Sequence, residues 1–234
     1  MSYRGLNPQG LKPRDDTKGY IPVIKLYSYF RSSAAYRVRI ALNLKQIEYE
    51  IEAVNLLKAE EQQALYAELN PQKLVPVLEH DERMLYQSMA IIEYLEETFP
   101  EPALLPIDKA LRVEVRALSN VIACDIHPLN NTRVIKYLAA ELEVDEEARL
   151  QWYRHWVAEG FAAIEKRLEV FSEGRFCFGD APGMADALLI PQIYNARRFE
   201  LDMTPYPLID SIDRHCLQIE AFARAAPENQ PDAN

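Results

Sequence analysis

Apolar and β-branched residues crowd positions Val23 to Tyr29, which reads as a buried strand. Ser32 and Ser33 follow, at the place where helix N-caps belong, and lead into AAYRVRIALNLK. That stretch has helical spacing, with Val38, Ala41 and Leu42 on one side. Residues 48–54 read as a second strand and EEQQALYAEL as a short helix closed by Asn70 and Pro71. In KLVPVLEH the residues Val75, Val77 and Leu78 indicate a strand, yet Pro76 cannot donate to a central ladder and marks an edge or a special turn. A short strand at 84–86 precedes Gln87 and Ser88, where MAIIEYLEETF begins a third helix with Ile91 and Leu95 facing inward and Ser88 as its expected cap.

The order strand–helix–strand–helix–strand–strand–helix describes a small α/β sandwich over residues 23–107. The proline-rich PEPALLPID ends it. Residues 109–140, 145–172, 183–195 and 208–225 then all read helical, so 108–226 forms an all-α second domain. Residues 1–22 read as an irregular N-terminal arm and 227–234 as a polar tail.

Composition narrows the class. The formal net charge of -10 over 234 residues argues against nucleic acid or an anionic membrane as partner. No apolar run approaches the roughly 18 residues that a spanning helix needs. The N-terminal stretch lacks an apolar signal core, so a cytoplasmic location is expected. Cys124, Cys177 and Cys216 form no CxxC pair, and His80, His127, His155 and His215 are scattered. No metal is expected.

Local charge changes that picture. Between Lys25 and Ile47 lie Lys25, Arg31, Arg37, Arg39 and Lys45, and no acid. Arg31 stands just before a helix N-terminus, where free N–H groups also favour an anion. Arg197 and Arg198 form a second basic pair after PQIYNA, and Arg133 follows HPLNN. Converging, these three regions make a pocket for a small polyanion, since the planar guanidinium grips carboxylates bidentately. Apart, they are solvated charges or ion pairs between domains. Arg37 and Arg39 sit on a helix that must bury one face and are the more structural members.

YSYFRSSAAYRVRIALNLK, NPQKLVPVL and QSMAIIEYLEETFP, followed by CDIHPLNNTRVIKYL, FGDAPGMADALLIPQIYNARRF and TPYPLI, closely resemble the zeta class of glutathione transferases. The resemblance runs over residues 24–226. It implies a thioredoxin-like N-terminal domain, a helical C-terminal domain, glutathione as cosubstrate and a homodimer. It places the Ser32 hydroxyl beside the glutathione sulfur, with Ser33 the weaker candidate. Pro76 becomes a cis-proline that presents the Val75 backbone to the cysteinyl part of glutathione, and Gln87 and Ser88 bind the γ-glutamyl carboxylate. Arg31 and Arg198 become the clamps for substrate carboxylates, with His127 and Arg133 lining the cleft. His127 reads equally well as a packed or capping residue, and Arg197 is the lesser of its pair.

The reaction implied is cis-to-trans isomerisation of a dicarboxylic enone such as maleylpyruvate or maleylacetoacetate. Glutathione sulfur adds to the double bond, the bond rotates and the sulfur leaves. Three departures matter. Ala34 stands where many members carry cysteine, which disfavours chemistry that needs a resolving thiol. Thr132 replaces one of two arginines, so only Arg133 remains. Gly183 replaces the serine or threonine of a capping box with Asp186, for which a small loss of stability and no loss of function is expected. Transfer or peroxidase chemistry on other electrophiles is the enzymatic alternative, and a non-catalytic binding protein on the same scaffold is the third reading.

Overall fold

The computed structural model describes residues 24–81 and 83–233. The arm expected at 1–22, together with Val23 and Asn234, lies outside the described residues. Strands β1 (Ile24–Ser28), β2 (Tyr49–Ala53), β3 (Val77–His80) and β4 (Arg83–Tyr86) form one sheet in the order β2-β1-β3-β4. β1 pairs parallel with β2 and antiparallel with β3, and β3 pairs antiparallel with β4. The period of two in β1 sends Ile24 and Leu26 into the main core, where helices α1 (Ser33–Leu44) and α3 (Ser88–Thr98) pack. Tyr27 and Tyr29 face a second cluster with Val54, Val75, Val77 and Tyr66 of α2 (Ala64–Leu69). This is the thioredoxin-like arrangement.

β3 begins at Val77, so Pro76 precedes the ladder instead of interrupting it. The Val75–Pro76 bond is cis.

The second unit is helical, with no strand among its described residues. The stretch 109–140 is not continuous. α4 (Lys109–Asn120) passes through a π-helical segment, Val121–Ile126, into the short α5 (His127–Asn130). Asn131 then turns extended, and its Oδ1 accepts from the Arg133 N–H at 3.0 Å to start α6 (Thr132–Ala140). An Asx cap stops one helix and starts the next. The stretch 208–225 also divides, into α9 (Pro207–Cys216) and α10 (Glu220–Ala225), with Ile219 extended between them. α7 (Glu146–Phe171) buries Tyr153, Val157, Phe161, Ile164 and Leu168, the spacing of one helical stripe. α8 (Met184–Arg198) runs further than its sequence pattern, so Arg197 and Arg198 form its last turn instead of following it. No described helix is long and apolar enough to cross a membrane.

A buried ion pair anchors the linker that leads to the second unit. Lys45 Nζ lies 2.8 Å from Glu96, with side-chain exposures of 0% and 7%. Lys45 also donates to the Phe99 and Pro102 carbonyls, and Glu96 accepts from the Leu104 and Leu105 N–H groups. The linker is therefore fastened to α1 and α3.

Beyond it, the Met184 N–H donates to the Leu104 carbonyl. A Cβ on Gly183 would lie 2.7 Å from that same oxygen. Glycine thus suits a close approach here, which argues against the expected stability loss from a missing cap. Asp186 is fully buried and still accepts from the Gly183 and Cys177 N–H groups. Gly183→Ser should lower stability by about 1–2 kcal/mol despite the restored capping hydroxyl, because a backbone oxygen must move. The check is the denaturant midpoint; an unchanged or higher midpoint refutes this.

Candidate active site

α1 starts where β1 ends, at the edge between the two units. Ser32 caps it, its Oγ accepting from the Ala35 N–H at 3.2 Å. The first turns of α1 and α3 contain no acid, so both positive helix ends stay uncompensated. Ser32 keeps some exposure, whereas Ser33, one residue and about 100° further round the helix, is buried.

Ser33 turns toward the second unit. Its hydroxyl lies 3.0 Å from His127 Nδ1, and Arg37 Nη2 donates to the same nitrogen at 3.2 Å. The Asn131 side-chain amide reaches His127 Nε2 at 3.2 Å. Arg37 Nη1 donates to Ser88 Oγ at 3.3 Å. One polar chain therefore links α3, α1, α5 and the α6 cap. Arg37 is 2% exposed and has no carboxylate partner among the described residues. Burial lowers its pKa to about 10, so it keeps its charge at neutral pH.

His127 keeps part of its residue surface exposed, but its ring is enclosed by Ser33, Arg37 and Asn131. Burial, then Arg37 and Arg133, push its pKa down to about 3. The imidazole is neutral, and the Arg37 donor makes Nδ1 its acceptor nitrogen. Of its two sequence readings, the geometry displays the packed one. The unfolded chain's imidazole takes up a proton below about pH 6.5, while the folded one does not until about pH 3. In that window the unfolded state binds the extra proton. This contribution is complete above the unfolded pKa and fades as pH falls toward 3. Urea midpoints between pH 7 and 5 should thus fall less steeply for His127→Gln than for the parent; equal slopes refute the assignment.

The glutathione-side candidates form a second group. The Val75 N–H and carbonyl have no hydrogen-bond partner among the described residues, whereas the neighbouring Leu74 carbonyl is taken by Tyr66 and Asn70. Gln87, not Ser88, is the N-cap residue of α3, and it makes no side-chain cap. Ser88 is the first helical residue, and its hydroxyl meets Arg37. Gln87 has φ 69° and ψ 112°, a region disfavoured for any side chain, and its amide donates to Gln72 at 2.7 Å. Such strain, of order 1–3 kcal/mol, persists where surrounding structure enforces it. A peptide with its own N–H, C=O and carboxylate fits this set: a free backbone edge at Val75, and a helix start with a buried hydroxyl over a cation.

The arginines separate into two kinds. Arg197 is paired with Asp210 at 2.7 Å and Asp213 at 2.9 Å, which makes it structural. Arg31, Arg133 and Arg198 are exposed and have no carboxylate partner among the described residues. Arg31 lies over the Phe30 ring and Arg198 over Phe199. Both act on the Tyr194 phenol, which sits between the units, while Arg133 acts on His127. Burial and a 2.6 Å bond to Glu228 raise the Tyr194 pKa to about 12. Arg31 and Arg198 thus share one neighbour, Tyr194, while Arg133 neighbours His127, which meets α1 through Ser33. Tyr194, Asn131 and the bridging role of Arg37 were not read from sequence; the acid-free charge run was the one signal for Arg37.

Comparison with known proteins shows the family. Residues 22–97 match the glutathione S-transferase N-terminal domain. A Vibrio cholerae protein named probable maleylacetoacetate isomerase is 51% identical over 210 residues, covering 89% of this chain and 97% of that one. The solved holo structure of a maleyl pyruvate isomerase, described as a bacterial zeta-class glutathione S-transferase, superposes with a TM-score of 0.88 at 49% identity, covering 90% of this chain and all of that one. A maleylacetoacetate isomerase from Anaeromyxobacter dehalogenans 2CP-1, solved with dicarboxyethyl glutathione and citrate in its active site, has a TM-score of 0.82 at 44% identity, covering 91% and 94%.

Proposed function

The chain belongs to the zeta class of glutathione transferases, and from that membership we propose that it is a glutathione-dependent isomerase of a cis dicarboxylic enone of the maleylpyruvate or maleylacetoacetate type. The observation that supports the reading is that Arg31, Arg133 and Arg198 are exposed cations without carboxylate partners among the described residues, two of them neighbours of Tyr194 and the third of His127. Residues 23–107 hold glutathione and 108–226 complete the substrate pocket.

Bound glutathione supplies a sulfur nucleophile that adds reversibly to the double bond and lets it rotate. The protein's residues do the rest. Ser32 donates a hydroxyl hydrogen bond toward the sulfur, and the α1 N-terminus favours its anionic form. Val75 pairs with the glutathione backbone across the peptide edge before β3. Gln87 and Ser88 take the γ-glutamyl carboxylate, with buried Arg37 beneath Ser88 reinforcing the field. Arg31 and Arg198 hold the substrate carboxylates, and Arg133 stabilises charge that builds on the enone oxygen. His127 and Ser33 act as positioning residues that fix Arg37 and the start of α1.

Thr132 favours a second reading, in which a less charged electrophile accepts glutathione sulfur without release. We take the assembly to be a homodimer, with exposed Leu57, Leu65 and Val113 as apolar surface available to it, and the compartment to be the cytoplasm, where Cys124, Cys177 and Cys216 stay free. The deciding experiment follows the absorbance of maleylpyruvate and maleylacetoacetate with and without glutathione. Glutathione-dependent loss of the cis enone supports the isomerase. Stable adduct formation with other electrophiles alone supports the transferase.

A further inference from the structure

We propose that the C-terminal segment Pro227–Asp232 is a clasp that sets the position of the catalytic loop, with Asp232 as its positioning residue. Phe30 lies two residues before Ser32 and one before Arg31, in a loop outside helix and strand. Its N–H donates to Asp232 Oδ2 at 2.9 Å, across 202 residues of sequence. Its carbonyl accepts from Arg39 Nη2 at 3.0 Å. Arg39 is fully buried, and its Nε donates to the carbonyl of Ala225, just ahead of the segment. Both polar groups of Phe30 are thus held by the C-terminal region, one directly and one through Arg39.

The segment is built to hold that position. Pro227 and Gln230 are buried. Gln230 Nε2 donates to the Arg224 and Ala226 carbonyls, both at 2.8 Å, and Asn229 Nδ2 donates to Ala223 at 2.7 Å. These bonds fold the segment back onto α10. Glu228 accepts from the Tyr194 hydroxyl at 2.6 Å, four residues before Arg198 on α8. The clasp therefore grips the loop that carries Arg31 and Ser32 and the helix that carries Arg198. The residues read from sequence as a polar tail are a packed part of the site's frame.

A mere packing role for the C-terminus would show in stability alone. A positioning role shows in chemistry, because an error of about 1 Å at a reacting group lowers rates by about a hundredfold. This rests on the reading of Ser32 as the residue beside the glutathione sulfur. Two variants of the full chain test it, Asp232→Ala and Asp232→Asn, together with a chain ending at Pro231. The asparagine keeps an oxygen for the Phe30 N–H and loses only the charge. Two readouts are needed: turnover of the cis enone, and the thiol pKa of bound glutathione from its ultraviolet thiolate band.

The expected result is a kcat lowered by about tenfold or more in Asp232→Ala and in the shortened chain. The bound thiol pKa rises in both, glutathione still binds, and Asp232→Asn restores both readouts. Parental kcat and thiol pKa in Asp232→Ala overturn the proposal, as does failure of asparagine to rescue. If the parent protein turns over no cis enone, the isomerase reading falls instead, and the thiol titration alone decides the clasp.

Discussion

Ser32→Ala should leave the protein folded and able to bind glutathione while lowering enone turnover by about a hundred- to a thousandfold, the range for loss of one preorganised donor at a developing charge. Two roles meet in this hydroxyl. Its oxygen accepts the Ala35 N–H and caps α1, and its hydrogen is left for the sulfur. Losing the cap costs about 1 kcal/mol, too little to unfold a chain of this size. The bound thiol pKa should rise toward that of free glutathione. Ser33→Ala is the informative contrast. It removes a hydroxyl that faces His127, so its effect should appear in stability more than in thiol pKa. Undiminished turnover in Ser32→Ala, or a larger catalytic loss in Ser33→Ala, would reverse the assignment of the two serines.

Glu96→Ala should destabilise the protein by about 3–5 kcal/mol, the range for breaking a buried ion pair from one side. The substitution leaves the Lys45 ammonium in the interior with only the Phe99 and Pro102 carbonyls. It also leaves the Leu104 and Leu105 N–H groups without their acceptor. Removing Lys45 as well, in Lys45→Met with Glu96→Ala, should give less than the sum of the single effects, because the stranded charge is gone. Denaturant titration measures all three variants. A loss below about 1 kcal/mol for Glu96→Ala would place the pair among ordinary surface bridges.

Local patterns were legible wherever one residue type permits few conformations. Pro76 read as an edge or a special turn, and the structure places it just before the ladder, which starts at Val77. Ser32 read as a cap and is one. Arg197 read as the lesser of its pair and is consumed by Asp210 and Asp213. The split of 109–140 at Asn131 depends on the Asn131 side chain accepting the Arg133 N–H, a local bond that apolar spacing does not report. What could not be read was contact at long range. Ser33 meets His127 across 94 residues and Phe30 meets Asp232 across 202. Periodicity reports which face of an element is buried, not which distant side chain shares that burial.

The waist between the halves has a mechanical consequence. Lys45 and Glu96 bolt the connecting segment to the first and third helices, and the Leu104 carbonyl reaches on to the start of α8. The start of α8, and with it the helix that carries Arg198, is thereby tied through one short segment to the first and third helices.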